Sequence, residues 1–368
     1  MACLCYLLFG PERVGHWFGI LPYFPVPATQ FIDKTFSPPE RFDYAIYHDG
    51  LPENFWDRPA PSPVTLNRIL TIPDGSADEN GFVFDKNCRP IFDACQPLPQ
   101  RMKYRRKKWR DIIPADYRKQ YRTPRPYPGR IAVLTSGHQH IYSHWLFDIL
   151  PRLAKLRELY GEPDHYFLQY LHPFQVETLK YVGLTSGSHI INSAQVLWVR
   201  GDELVVPCHQ IMFGYHHPRW VCDWLRDTFL PARMSSPNPK RKIYISRSCA
   251  GKRMVTNEEE LSNFLREQGF AICLLETMTF AEQVGLFSDA DVIVAPHGSG
   301  LANLVFCNPG TQVIELFPAR ATDAYFRLSV DMNLQYTCMK SRDMNVRPRV
   351  SDNFSICLDD IRSALSLR

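Results

Sequence analysis

KIYIS (242–246), FAICLLE (270–276), DVIVAP (291–296) and QVIELF (312–317) are four short apolar runs, each followed by a change of pattern. Runs of this length, rich in β-branched and aromatic residues and bounded by polar turns, read as strands buried on both faces. Between the first two, Thr256-Asn-Glu-Glu259 has the spacing of a capping box. The helix it opens runs to about Gln268 and is closed by Gly269. Thr279-Phe-Ala-Glu282 repeats the capping pattern before the third run, and GLANLVF (300–306) begins a third helix before the fourth. Four strands alternating with three helices require βαβ crossovers, and hence a parallel sheet.

Upstream, Pro231 to Lys240 is polar and broken by prolines, the composition of an interdomain linker. Before it, IAVLTS (131–136), HYFLQYL (165–171), QVLWV (195–199) and ELVVP (203–207) read as strands. Helical patterns cover 142–160, 173–183 and 218–230, the first with Ile149, Leu153, Leu156 and Tyr160 on one stripe. The expected organisation is two α/β domains, 131–235 and 241–335. A C-terminal segment, 336–368, is expected to cross back to the first of them. Residues 1–130 hold 18 of the 30 prolines and read as a loop-rich N-terminal region.

Composition sets the outer limits. With 368 residues, 45% hydrophobic and 22% charged, the chain has the make-up of an ordinary globular protein and length for two domains. This argues against collagen, coiled coil and disorder, and no apolar run approaches the roughly 18 residues that span a bilayer. MACLCYLLFG (1–10) is short, lacks a basic lead and stops at Pro11-Glu12-Arg13, so it does not read as a secretory signal. The eleven cysteines are odd in number and form no CxxC, which reads as reduced thiols in a reducing compartment. A net charge of +4 conceals an asymmetry, because residues 101–130 hold twelve Lys and Arg against two Asp. Its centre, RMKYRRKKWR (101–110), suits an anionic membrane surface or an acidic glycan, or is a solvated loop without a partner. No nucleic-acid module accompanies it, so nucleic acid is not an expected partner.

In open parallel sheets, ligands bind beyond the carboxyl ends of the strands. There the sequence places Arg247, Glu276, the motif His297-Gly298-Ser299-Gly300, and Glu315. Small residues let backbone amides approach a phosphate, and a helix start adds a favourable dipole. Arg247, with Lys252 and Arg253 in the next loop, can neutralise a diphosphate, and Glu315 can bind ribose hydroxyls. Together these describe a nucleotide-diphosphate site. Neither GxxxxGK[ST] nor GxGxxG occurs, so a P-loop and a classical NAD site are not expected.

The second constellation is GHQHIYSHWLFDILPR (137–152). His144 and Asp148 are four apart on the expected helix and so share a face. An imidazole beside a carboxylate suits a general base acting on a hydroxyl, although the pair also fits a surface ion pair. His138 and His140 open a rival reading, since a strand followed by HxH begins amidohydrolase metal sites and His144 could add a ligand. That metal-dependent hydrolase needs an eight-fold barrel, for which residues 131–368 are short. His216-His217 could supply ligands or line a cleft, or be plain loop histidines. Asp289-Ala-Asp291 is a DxD at the amino end of its strand and reads as a helix-terminating turn.

Read together, the two constellations resemble glycosyltransferase family 61. The matching features are the HxxxDxLPR-like block (His144, Asp148, Leu150, Pro151, Arg152), Arg247 and Arg253, and Asn257-Glu258. LETMTFAEQVGLFSDADVIVAPHGSGLANLVF (275–306) and VIEL (313–316) complete it. The resemblance covers about 138–318, and HGSGLAN (297–303) departs from the family's usual HGAGLTN, losing a hydroxyl at Ala302. It implies a GT-B fold of two Rossmann-like domains whose parallel sheets face a cleft, with 1–130 joining the acceptor domain. It implies an inverting transfer from a nucleotide-sugar, a UDP-sugar, to a hydroxyl of a glycan or polysaccharide. One of His144 and Asp148 is then the base and the other orients it. The leaving diphosphate is met by Arg247, Arg253 and HGSG, with His297, Asn303 and Glu315 in the same site. Lys252, Glu276 and Arg152 are lesser candidates. No metal or other cofactor is expected to be required. The implied setting is a bacterial capsule or lipopolysaccharide enzyme, cytoplasmic and at the inner face of the membrane. A non-catalytic nucleotide-sugar-binding protein is the remaining alternative.

Overall fold

The computed structural model describes residues 31–33, 68–88, 91, 123–185, 187, 189–207, 217–234, 239–318, 323–342 and 352–366. The basic run at 101–110 and His216 lie outside the described residues.

Two sheets form the frame. The first contains β1 (Phe31–Asp33), β2 (Arg68–Pro73), β3 (Ser76–Asp78), β4 (Val83–Phe84), β5 (Arg125–Val133), β6 (His165–Leu168), β7 (Ile190–Asn192) and β8 (Trp198–Pro207). Its strands β8-β5-β6-β7 are parallel neighbours in that order, while β2 and β3 pair antiparallel with β8. The segments QVLWV and ELVVP, expected as two strands, join in the single strand β8. Gly201 lets it pass: a Cβ there would meet Ile131 Cγ1 at 2.8 Å.

The second sheet contains β9 (Lys242–Ile245), β10 (Ala271–Cys273), β11 (Val292–Pro296), β12 (Gln312–Phe317) and β13 (Gln335–Lys340), ordered β10-β9-β11-β12-β13 and parallel throughout. The four expected strands are present, and β13 adds a fifth. FAICLLE is strand only over Ala271–Cys273 and then tightens into a 3₁₀ turn, Leu275–Thr277.

The connecting helices are α1 (Leu150–Leu159), α2 (Pro173–Tyr181), α3 (Arg219–Phe229), α4 (Glu258–Glu267), α5 (Phe280–Asp289), α6 (Ala324–Asp331) and α7 (Leu358–Ser366). GLANLVF is not α-helical; it lies in a 3₁₀ helix, Ser299–Phe306, buried from Leu301 onward. Thr279 and Glu282 form the expected capping box on α5. The box expected at Thr256 does not form. Asn257 stands at the start of α4 and makes no side-chain cap there. Its amide is spent on the backbone of Ile356, 99 residues away.

The C-terminal segment, expected to return to the first domain, stays with the second sheet. Ile361 and Ala364 of α7 pack with Val292 and Ile314, and Gln312 Nε2 donates to the carbonyl of Ala364 at 3.0 Å. The linker is also pinned, since Met234 N donates to the carbonyl of Ala281 at 3.1 Å. A Cβ on Gly285 would lie 2.1 Å from the Met234 carbonyl oxygen, so that approach depends on glycine.

One hydrophobic cluster spans both sheets, joining Trp145, Leu146 and Leu153 to Phe280, Phe306 and Phe317. From the exposed Tyr181 inward, Phe229, Phe280 and Phe306 continue an edge-to-face file, with successive centroids 6.2, 4.9 and 5.9 Å apart. Among the described residues no helix is long and apolar enough to cross a membrane.

Candidate functional site

In the second sheet the strand order reverses beside β9, which lies between β10 and β11. Loops at such a switch point diverge and leave a crevice at the carboxyl edge. Arg247 follows β9 and HGSG follows β11, so the fold brings both to that crevice. Gly298 is extended, and a Cβ there would sit 2.1 Å from Arg247 Nη1, so the guanidinium rests on the glycine backbone. Gly300 is equally constrained, since its Cβ would meet Leu275 Cδ1 at 2.6 Å.

Arg247 Nη2 donates to the carbonyl of Lys252 at 3.1 Å, and its backbone N–H donates to Glu258 at 3.2 Å. Its Nε and that of Arg253 are buried without a hydrogen-bond acceptor among the described residues. Burial, and next the like charge of Arg253, hold Arg247 below the ordinary guanidinium pKa, with Glu276, Tyr325 and Glu258 opposing. Two half-buried guanidiniums that repel each other and have no ion-paired carboxylate among the described residues form a site that an anion would stabilise. Lys252 is exposed in the same loop, and Glu276 is exposed on the 3₁₀ turn.

Glu315 departs from its expected role. It is fully buried, with Oε1 2.5 Å from His297 Nδ1 and Oε2 accepting from Tyr336 Oη at 2.5 Å. A carboxylate with both oxygens committed inside the protein does not reach a ribose; it orients His297, whose ring stacks on Phe317 at 5.0 Å. Asn303 is also fully buried. Its Nδ2 donates to Gln283 Oε1 at 2.9 Å and to the Gly300 carbonyl at 3.1 Å, and its Oδ1 accepts from Tyr142 Oη at 2.6 Å. It therefore braces the HGSG helix and makes no outward contact.

That last bond joins the two constellations. Tyr142 opens a single α turn, Tyr142–His144, which passes into a π turn, Trp145–Ile149, before α1. Such π turns are frequent at functional sites. His144 is half-buried, and its ring stacks on His138 at 4.9 Å. Burial, then His138, lower its pKa, while Asp148 opposes them and His140 adds to the lowering. Asp148 is only 2% exposed. A neutral imidazole near a buried carboxylate is the state required of a base.

Arg152 is buried, and its guanidinium donates to the carbonyls of Val133 (2.8 Å), Leu134 (3.3 Å), Thr135 (3.4 Å) and Pro207 (3.0 Å). It ties the carboxyl ends of β5 and β8 together and belongs to the scaffold. The exposed His138 and His140 stand on the loop after β5, which is held by Gln139 and Gln175. His217 is buried against Phe147, with centroids 3.8 Å apart. Among the described residues no three His, Cys, Asp or Glu side chains gather as a metal site. Asp291 of the DxD is bound by Arg241 through two bonds of 2.8 Å at the amino edge of the sheet, in keeping with a structural turn.

Sequence reasoning passed over Tyr142, Gln283, Tyr336 and Glu177. Glu177 on α2 accepts from the first two N–H groups of α5, Phe280 at 2.7 Å and Ala281 at 2.9 Å. None of these bonds has a local pattern.

The sequence profile of the glycosyltransferase 61 family matches residues 142–314. A stretch of 102 residues is 33% identical to the β-1,2-xylosyltransferase XAX1 of Oryza sativa subsp. japonica, covering 26% of this chain and 18% of that protein. The match starts at Tyr142 and ends at Ile314, and so takes in His144, Arg247, Arg253 and the HGSG helix. Residues 142–314 are thus similar to glycosyltransferase family 61.

Proposed function

We propose that this protein is an inverting glycosyltransferase that moves a sugar from a UDP-sugar to a hydroxyl of a glycan in one displacement. The single observation that carries this reading is the anion site at the switch point. There Arg247 lies on Gly298 beside Arg253, with both Nε groups buried and unmatched. Two sheets, each with parallel neighbouring strands and each offering its carboxyl edge, are compatible with the GT-B arrangement of a nucleotide-binding and an acceptor unit.

In this mechanism His144 takes the proton from the acceptor hydroxyl while its oxygen attacks the anomeric carbon. Asp148 stabilises the imidazolium that forms. The bond from the anomeric carbon to the β-phosphate oxygen breaks in the same step. The negative charge that develops on that oxygen is met by Arg247, Arg253 and the amides opening the Ser299–Phe306 helix. Because guanidiniums supply the positive charge, the transfer needs no divalent metal. The relative's name makes a xylosyl donor the first to try. The free cysteines among the described residues, including buried Cys222, Cys273 and Cys307, support work in a reducing compartment. The comparisons support the family and do not extend to a bacterial capsule-type enzyme at a membrane face.

The test is a thermal-shift series with UDP, GDP, CMP and UDP-sugars, with and without EDTA, on wild type and Arg247→Ala. A ligand at 100 times its Kd adds about 2.7 kcal/mol. Selective stabilisation by UDP that survives EDTA and is lost in the variant is expected. A response to no nucleotide, or one abolished by EDTA and restored by Mn²⁺, would overturn the mechanism.

A further inference from the structure

Arg253 is held in a left-handed backbone conformation, φ +57°, one that a side-chain-bearing residue adopts only at a cost. The residues that follow it are fixed from outside their own loop. Met254 N–H donates to Asn353 Oδ1 at 3.0 Å, and Phe354 N–H donates to the Met254 carbonyl at 3.1 Å. Thr256 N–H donates to the Phe354 carbonyl at 2.8 Å, making a parallel bridge between Val255 and Phe354. Asn257 exchanges two amide bonds with Ile356, at 2.9 and 3.0 Å. Phe354 and Ile356 are buried among Tyr244, Val255, Leu261 and Ile314, so the strap is anchored in the core of the second sheet.

We propose that residues 353–356 form a strap that sets the position of Arg253 in the donor site, with Asn353 as a positioning residue. The inference rests on the donor-site reading above. Asn353 is exposed and touches no part of the crevice among the described contacts, but it holds the first N–H after the strained residue. Without that bond, the Arg253 backbone relaxes out of the left-handed region and its guanidinium leaves the neighbourhood of Arg247. The cost falls on diphosphate binding, while the core stays anchored by Phe354 and Ile356.

The test measures UDP affinity by calorimetry on wild type, Arg253→Ala, Asn353→Ala, Asn353→Asp and the double variant R253A/N353A. Asn353→Ala is expected to weaken UDP about three- to tenfold, the equivalent of one hydrogen bond. Asn353→Asp, which keeps an acceptor oxygen, restores most of the affinity. In the R253A background N353A adds nothing further, because both act through one side chain. An unchanged affinity in N353A, or an effect that adds in full to that of R253A, overturns the strap. Failure of the wild type to bind UDP instead removes the donor site itself, and the strap with it.

Discussion

Tyr142 and Asn303, 161 residues apart, are joined by a hydrogen bond of 2.6 Å from the tyrosine hydroxyl to Oδ1. The tyrosine opens the turn that carries His144, and the asparagine lies in the helix that begins at Ser299. The bond therefore ties the turn carrying the proposed base to the helix of the proposed anion site. Burial pushes the Tyr142 hydroxyl well above its ordinary pKa, so it keeps its proton and donates.

Tyr142→Phe keeps the ring, which is edge-to-face on Phe174 at 5.3 Å, and removes only the bond. Asn303 Oδ1 is then buried without its partner, at a cost of about 1–3 kcal/mol. A lower Tm is expected, together with a loss in kcat that exceeds any change in the UDP Kd. Equal losses in both would mean that the bond serves only stability.

The proposed base, His144, sets the pH dependence expected of the proposed transfer. Its pKa is lowered, chiefly by burial and next by His138, so the neutral form persists below the ordinary imidazole value. The acid limb of kcat/KM is expected below pH 6.5. His138→Ala removes a neighbouring charge and exposes the ring, and both changes raise the pKa. The limb then moves upward in pH, which a rate profile from pH 4.5 to 8 would show; a downward move would argue against His144 as the base.

Glu315→Gln tests the buried brace under HGSG. The amide offers only one acceptor oxygen where the carboxylate serves both His297 and Tyr336. A destabilisation of about 1–3 kcal/mol by denaturant titration is expected, with weaker UDP binding as His297 turns. Full stability in this variant would show that the three groups are not coupled.

Asp331 makes a stability prediction independent of catalysis. Burial raises its pKa to about 8, with Arg219 and Arg327 only partly offsetting it. The folded state therefore holds a proton that the unfolded chain gives up near pH 4. This contribution is fully present below pH 4 and is lost as pH rises toward 8, at up to about 1.4 kcal/mol per pH unit. Asp331→Asn is expected to flatten that slope and to be more stable than wild type at pH 8. Parallel urea curves at pH 5 and 8 decide it.

The second sheet was legible because its strands are buried on both faces, and an uninterrupted apolar run needs no partner to be recognised. β13 was not, since QYTCMK (335–340) alternates polar and apolar residues at the sheet's edge. Thr256 misled because a capping pattern is local, whereas Asn257 was already engaged by Ile356. Arg247 and HGSG, both read from strand ends alone, lie against each other, the Arg247 guanidinium over Gly298. Glu315 and Asn303 were read as ligand contacts because a sequence shows that a polar group is near a strand end or helix. It does not show whether that group points into the crevice or beneath it, and both point beneath.

The seam between the two sheets has a practical meaning for engineering. Besides the shared aromatic file, it is sewn by Tyr142 on Asn303, by Glu177 on the start of α5, and by Arg226, which donates to the carbonyls of Val305 and Cys307 at 2.8 Å. A chimera made by cutting at Pro231–Lys240 and grafting the second half of a similar protein would separate every one of these pairs. Exchanging the second half by grafting would therefore have to carry residues 142, 177 and 226 along with the graft, although they lie in the half being kept.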